Sequence, residues 1–169
     1  MSEVSIRSAE PSDAALVRRM LAETWHHTYD RLLGSEKVSA VTTSWHSQEM
    51  LSRQIADPKV AFLVATEGNG VVGHALGRAD AGGEIVLSRL YVLPARQSEG
   101  IGRRLLHALL DTFPGAVAMS AAVHAGNEAG LRFYMAAGFE LGEHFEEDGI
   151  PHRRVRLRLA GGQFCPGKT

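Results

Sequence analysis

The segment that most constrains the fold runs from residue 84 to residue 113 and joins a strand, a glycine turn and a helix. The strand EIVLSRLYVL is largely apolar, which is typical of a buried strand. The turn PARQSEGIG leads into RRLLHALLDTF, whose leucines recur at helical spacing. A strand followed at once by an amphipathic helix packs as a helix layer on a sheet, so the segment predicts an α/β fold.

The periodicity of the flanking sequence extends this pattern along the chain. Helical spacing predicts one helix from about Asp13 to Tyr29, and a helix in one or two pieces over residues 36–56. A period of two on both sides of an Asn-Gly turn predicts a hairpin. A short strand, a helix that ends at Gly138 and a terminal hairpin follow. The order predicts a mixed sheet with helices on both faces.

Composition bounds the domain count and the partners. With 169 residues, 44% of them hydrophobic, the chain suits a single domain over residues 1–160 with a flexible tail over 161–169. The 18 basic and 19 acidic residues give a net charge of −1, which offers no general attraction to nucleic acid or anionic membrane. The single cysteine, Cys165, permits no internal disulfide. We expect a soluble cytoplasmic protein, without a signal peptide or membrane span, that is compatible with a homodimer.

The last eight residues, GQFCPGKT, fit the phosphate-loop pattern of nucleotide-triphosphate enzymes. A working phosphate loop needs a strand before it and a helix after it. This sequence ends at Thr169, so we expect the match to be fortuitous.

The glycine turn RQSEGIGRR has the structural context that the tail lacks. Gly100 and Gly102 can adopt conformations barred to other residues and leave room for an anion near the backbone. The N–H groups of residues 98–103 would then point at that anion, with Arg96, Arg103 and Arg104 nearby. The turn predicts a cradle of diphosphate size; the alternative is an ordinary loop with surface arginines.

A second motif, NEAGLRFYMAAGF, places Asn127 at a helix start and Tyr134 about two turns later. Alone it describes a capped helix with a core tyrosine. Together, LYVLPARQSEGIGRRLL and NEAGLRFYMAAGF resemble the GNAT N-acetyltransferase superfamily, whose loop reads [QR]-x-x-G-x-[GA] and whose helix reads N-x-x-A/G-x-x-x-Y-x-x-x-G-F. The resemblance implies a mixed, mostly antiparallel sheet of about seven strands flanked by four helices and splayed between strands 4 and 5.

The resemblance also implies an activity. Such proteins transfer the acetyl group of acetyl-CoA, by direct attack in a ternary complex, to a primary amine: a small amine, a polyamine, or a peptide or protein N-terminus. A catalytically weak acyl-CoA-binding sensor on the same fold is the alternative. No metal is expected, because adjacent His26 and His27 point about 100° apart on a helix. The cofactor residues implied are Leu90, Tyr91, Val92, Gln97, Ser98, Glu99, Gly100, Ile101, Gly102, Arg103 and Asn127.

The resemblance identifies a residue for the proton donor of the reaction but leaves the base open. Tyr134 matches the tyrosine that protonates the departing thiolate, and tyrosine, with a reference pKa of about 10, suits that role. Many relatives carry a glutamate base where this chain has Val86 or Ala122, and neither of these can titrate. Two residues away on the same strand faces lie Glu84 and His124. Either is a candidate base, directly or through a water; an amine that arrives already neutral is the alternative.

The residues that contact the acceptor amine are predicted in the first helix and the last hairpin. The resemblance places Trp25 and Tyr29, within ETWHHTYDRLLG, among the residues that contact the acceptor. The acidic turn EEDG and the glutamates beside it could attract a cationic acceptor. The alternative is a solvated turn whose charge is balanced by the arginines of HRRVRLRL.

Overall fold

The computed structural model describes residues 2–159 and contains seven strands and five α-helices in that range. The strands are β1 Ser5–Ser8, β2 Val60–Glu67, β3 Gly70–Ala79, β4 Glu84–Val92, β5 Ala118–His124, β6 Glu140–Glu147 and β7 Ile150–Arg158. The helices are α1 Ala14–Leu33, α2 Ser35–Trp45, α3 Gln48–Ala56, α4 Ile101–Thr112 and α5 Glu128–Ala136, with 3-10 turns at Pro11–Asp13 and Pro94–Arg96. No helix within the described range is long and apolar enough to cross a membrane.

The seven strands form one mixed sheet in the order β1-β2-β3-β4-β5-β7-β6. The β4–β5 pair is parallel, in register from Glu84 opposite Ala118 to Leu87 opposite Ala121. The pairs β1–β2, β5–β7 and β6–β7 are antiparallel. This architecture confirms the predicted α/β class.

The helix count differs from the expected four because residues 36–56 form two helices. Ser47 interrupts the stretch and caps α3, its hydroxyl accepting a hydrogen bond from the backbone N–H of Met50 at 3.1 Å. Upstream, Gly34 ends α1 at φ +86°, a conformation that favours glycine. Helix α1 therefore extends beyond the predicted end at Tyr29 and stops at Leu33.

The chain divides into two compact units, and the first comprises the described residues up to Leu76 together with residues 89–109. Helix α1 supplies its core with Val17, Met20 and Leu21, whose spacing of three or four residues puts them on one face. They cluster with buried residues of α3, β2 and β3, namely Leu51, Phe62, Val64, Val71 and Leu76. A second cluster, of Trp25, Tyr29 and Val38, packs beside α2.

The second unit comprises residues 77–88 and the described residues from Leu110 onward. Strand β5 lies between β4 and β7 and is buried along almost its whole length. Strand β6 pairs only with β7 in the sheet order, and the register between them shifts between Leu141 and His144. Asp148 at φ 51° and Gly149 at φ 74° form the tight turn of this predicted hairpin.

Candidate active site

The loop before α4 has the backbone geometry of an anion cradle. Ser98 lies at φ 68° and Gly100 at φ 82°, both in the left-handed region. Successive turns of this kind direct backbone N–H groups into a shared concavity. Helix α4 begins at Ile101, and the first N–H groups of a helix have no partner within it. This geometry is compatible with the predicted role of residues 98–103 in binding the cofactor, which stays a prediction.

Gly100 is required by its backbone conformation rather than by lack of space. A Cβ added there would meet nothing within 4 Å, but φ +82° is strained for any other residue. The loop is also tied to its strand, because the Gln97 side-chain amide donates a hydrogen bond to the Val92 carbonyl at 3.1 Å.

The arginines around the loop differ in how far contacts within the protein compensate their charge. Arg96 is held by the carboxylates of Glu67 and Glu99, which together raise its pKa, with Glu67 the larger cause. Arg104 donates to the backbone carbonyl of Val4 at 2.9 Å. Arg103 is exposed in the first turn of α4. Carboxylates therefore compensate the charge of Arg96, whereas Arg103 and Arg104 keep their charge at the rim, with Arg104 tied by one hydrogen bond to a neutral carbonyl.

The predicted strand residues Leu90, Tyr91 and Val92 are half-buried at the end of β4. Strand β3 approaches this segment closely at Gly73. A Cβ added at Gly73 would lie 3.3 Å from the Tyr91 carbonyl oxygen, and 3.0 Å and 3.2 Å from side-chain carbons of Leu105 and Ile101. Gly73 thus allows β3, β4 and α4 to pack tightly around the loop, a role that no sequence motif indicated.

Trp25 and Tyr29, the predicted acceptor residues, are buried in an aromatic cluster of the first unit. Their ring centroids lie 4.6 Å apart, and the Trp25 ring lies 6.0 Å from Trp45 and 6.2 Å from Tyr91. Trp25 therefore connects the predicted acceptor helix to the predicted cofactor strand. His46 joins the cluster, its ring centroid 5.5 Å from that of Trp25.

A buried polar network, missed by the sequence reasoning, lies behind this strand. Arg89 is only 8% exposed and donates to His74 Nε2 at 3.1 Å and to the Gln54 side-chain oxygen. Burial lowers the pKa of Arg89 to about 10, so it stays charged at neutral pH. The sequence held a signal for it: alternation along β4 puts Arg89 on the same buried face as Ile85 and Leu87.

In the second unit, Asn127 caps α5. Its side-chain oxygen accepts a hydrogen bond from the Gly130 N–H at 3.0 Å. A Cβ added at Gly130 would lie 2.7 Å from the Asn127 side-chain nitrogen, so a larger residue there would displace the Asn127 cap. The predicted cofactor contact of Asn127 stays a prediction.

Tyr134 lies on α5 and is 8% exposed, and its ring contacts those of Phe133 and Phe139 at centroid distances of 5.3 Å and 5.0 Å. Helix α5 ends as predicted, with Gly138 at φ 97° directly after its C-cap residue, Ala137. These two edge-on ring contacts restrict the orientation of the tyrosine ring, and its predicted role as proton donor stays a prediction.

Glu84, one candidate base, is held in an ion pair. Its two carboxylate oxygens accept hydrogen bonds from Arg156 Nε and Nη2, each at 3.2 Å. Arg156 is the main cause of a lowered pKa at Glu84, which makes the carboxylate a weaker base but keeps it ionised.

His124, the other candidate base, accepts a hydrogen bond from the Gly126 N–H at Nδ1, at 2.9 Å. Neutral His124 therefore carries its proton on Nε2, where it donates rather than accepts. Glu84 pairs with the first residue of β5 and His124 is its last, so about 20 Å of strand separates the two candidates. They are alternatives to each other rather than a pair.

The acidic hairpin is partly neutralised from within. Glu143 accepts a hydrogen bond from Arg154 Nε at 2.6 Å, and the Arg154 guanidinium lies 4.8 Å from the Phe145 ring centroid. These contacts favour the interpretation of a charge-balanced hairpin over that of a site for a cationic acceptor.

Comparison with known proteins relates this arrangement to one family. The family model described as acetyltransferase (GNAT) domain matches residues 29–159. Two proteins described as uncharacterized N-acetyltransferases, from Mycobacterium bovis and Mycobacterium tuberculosis, are each 26% identical over 154 residues, covering 85% of this chain and 99% of theirs. The N-alpha-acetyltransferase RimI of Mycobacterium tuberculosis is 38% identical over 93 residues, covering 53% of this chain and 58% of its own.

Among solved structures, the PaiA N-acetyltransferase of Thermoplasma acidophilum in complex with coenzyme A superposes with a TM-score of 0.82 at 22% identity, covering 92% of this chain and 99% of that one. At this identity the likeness establishes the fold. The family match spans most of the chain and includes both motifs. The protein therefore belongs to the GNAT acetyltransferase family and is an acyltransferase.

Proposed function

We propose that this protein transfers the acetyl group of acetyl-CoA to a primary amine by direct attack in a ternary complex. The observation that carries the proposal is the left-handed geometry of Ser98 and Gly100 at the start of α4, which suits the cofactor diphosphate. The coenzyme A bound to the PaiA neighbour supports the choice of cofactor. In this proposal Leu90, Tyr91 and Val92 hold the pantetheine arm and Asn127 contacts the cofactor.

In the proposed reaction, the neutral amine nitrogen attacks the thioester carbonyl carbon. A C–N bond forms, the C–S bond breaks, and the thiolate takes a proton from the Tyr134 hydroxyl. The nitrogen loses one proton to a base. Of the two candidates, Glu84 is ionised and has free lone pairs for a proton, whereas neutral His124 presents an N–H at Nε2. Glu84, however, lies six residues before Leu90 on β4, about 20 Å along the strand from the segment proposed to hold the cofactor arm, so the two candidates stay alternatives.

The test is acetyl-CoA-dependent mass gain across a panel of amines, with Tyr134→Phe measured beside the parent. Loss of a general acid lowers turnover by about 10²-fold or more. Because phenylalanine keeps the ring packing, we expect the acetyl-CoA affinity of the variant to stay within a few fold. A variant as active as the parent would remove Tyr134 from the mechanism. Tight acetyl-CoA binding without transfer to any amine would favour the sensor alternative.

A further inference from the structure

The buried guanidinium of Arg89 has no carboxylate partner among residues 2–159. Its hydrogen bonds go to His74 and Gln54, which are both neutral. His74 is fully buried, its Nδ1 bonds to the Leu63 carbonyl at 2.9 Å, and burial lowers its pKa well below the ordinary value. The network therefore holds one uncompensated positive charge, which is costly in a protein interior.

Two polar atoms beside this network are buried without a hydrogen-bond partner in the described part of the chain: Trp25 Nε1 and His46 Nδ1. Both residues are more than nine-tenths buried, at 7% and 3% exposure. Such groups in native proteins usually have a partner, and each one left unsatisfied costs about 1–3 kcal/mol. The pair therefore marks a place where a bound group, either a water or a ligand, supplies the missing hydrogen bonds.

The charge of the network decides which ligand group fits. A tryptophan N–H can only donate, so it needs an acceptor atom. Burial, with the nearby charge of Arg89, lowers the pKa of His46 to about 3, so His46 is a neutral imidazole and a poor base for an ammonium group. A cationic group of the acceptor would be repelled by Arg89. An anion with hydrogen-bond-accepting oxygens satisfies both the charge and the donor.

We propose that Trp25, His46 and Arg89 form a subsite of the first unit that binds a carboxylate of the acceptor, so that the acceptor amine belongs to an amino acid or to a similar amino-carboxylate. The inference rests on the proposed acetyl transfer. The indole N–H of Trp25 donates to the carboxylate, His46 does so when its proton lies on Nδ1, and Arg89 supplies the opposite charge. Trp25 packs on Tyr91, which puts the subsite beside the strand proposed to hold the cofactor arm.

The first experiment measures binding without turnover. Trp25 and Trp45 are the two tryptophans of the chain, so Trp45→Phe leaves a single indole N–H signal, that of Trp25, in an isotope-labelled sample. The sample is titrated, with and without CoA, with N-acetyl amino acids and with the matching N-acetyl amino acid amides, which lack the carboxylate. We expect the acids, and not the amides, to shift the indole proton downfield. Equal responses to acids and amides, or no response to either, would overturn the subsite.

The second experiment measures acceptor preference. Free amino acids are compared with their decarboxylated amines, and amidated peptides that begin with aspartate or glutamate are compared with those that begin with asparagine or glutamine. The two pairs separate the two sources of a carboxylate near an amine. We expect a kcat/KM at least about tenfold higher for the carboxylate-bearing member of each pair. A preference for spermidine or other carboxylate-free amines contradicts the proposal.

The third experiment assigns the preference to the subsite. Trp25→Phe keeps an aromatic ring and removes the N–H donor. It should reduce the ratio of kcat/KM for carboxylate-bearing over carboxylate-free acceptors at least about fivefold, through a higher KM for the carboxylate-bearing acceptor. Trp45→Phe, in the same aromatic cluster, is the matched control and should retain the preference. Arg89→Gln should abolish it; if that variant does not fold, Trp25→Phe decides. A carboxylate-specific indole shift without acetyl transfer would count against the proposed function alone, whereas transfer without carboxylate preference would count against the subsite alone.

Discussion

At the scale of single residues, the proton chemistry depends on which partner each titratable group has. Glu84 shares its two oxygens with Arg156, and His124 spends the lone pair of Nδ1 on the Gly126 N–H. The contact with Arg156 joins residues 72 positions apart, whereas the contact with Gly126 is local to the end of β5. Both contacts weaken a base, and they do so differently: the Glu84 carboxylate remains an acceptor, whereas the neutral imidazole becomes a donor.

A pair of substitutions separates a catalytic from a structural role for Glu84. If Glu84 is the base, Glu84→Gln lowers kcat/KM by about 10²-fold, whereas Arg156→Gln leaves the base in place. A base acts when deprotonated, so activity is lost as the pH falls through the pKa of Glu84. Arg156 lowers that pKa, and its removal should therefore move the acidic limb of the rate profile to higher pH. Equal losses in the two variants, with no shift of the limb, would assign the pair to structure only.

At the scale of elements, close packing of β3, β4 and α4 supports the cofactor loop in the first unit. Gly73→Ala puts a Cβ at 3.0–3.3 Å from Leu105, Ile101 and the Tyr91 carbonyl. We expect a loss of about 1–3 kcal/mol in the free energy of unfolding, measured in urea, and weaker acetyl-CoA binding, because the start of α4 must shift. Gly70→Ala on the same strand is the matched control, since its nearest contact is an ordinary 3.7 Å. Identical behaviour of the two variants would show that the packing tolerates the methyl group.

At the scale of the whole molecule, the family match includes one of the two phosphate-binding patterns of the sequence, the glycine turn before α4, and excludes the other, the tail GQFCPGKT. GQFCPGKT lies outside the described residues, and its expected irrelevance stays a prediction, as does a single domain over residues 1–160. Deleting residues 161–169 should leave turnover unchanged. Acetyl-CoA should still stabilise the shortened chain, by about 2.7 kcal/mol at a hundred times its Kd, and ATP should stabilise neither form. Thermal unfolding with each nucleotide checks this, and an ATP effect that disappears on deletion would restore the phosphate-loop interpretation.

Most of the fold was predictable because its signals are local. The hairpin β2–β3, the end of α5 at Gly138 and the turn at Asp148 and Gly149 follow from period and turn chemistry within a few residues. The sequence pattern does not decide whether residues 36–56 form one helix or two, because the break between α2 and α3 depends on the cap at Ser47. The same holds for the candidate site. The left-handed conformation of Gly100 could be anticipated from the glycine, whereas that of Ser98 could not, and Gly102, expected to adopt a similar conformation, lies in α4 without a positive φ. Gly73 could not be anticipated, because its contacts come from other elements.

The sequence by itself determined most of the order of helices and strands and the family, and it predicts the glycine cradle, because the signals for each lie in contiguous residues. Only the tertiary structure decided how charges and hydrogen bonds are shared. Arg89 meets Gln54 and His74, Arg156 meets Glu84, and the indole of Trp25 meets the ring of His46, all between residues far apart in the chain. Burial and distance set the strength of an electrostatic interaction, and both exist only once the chain has folded.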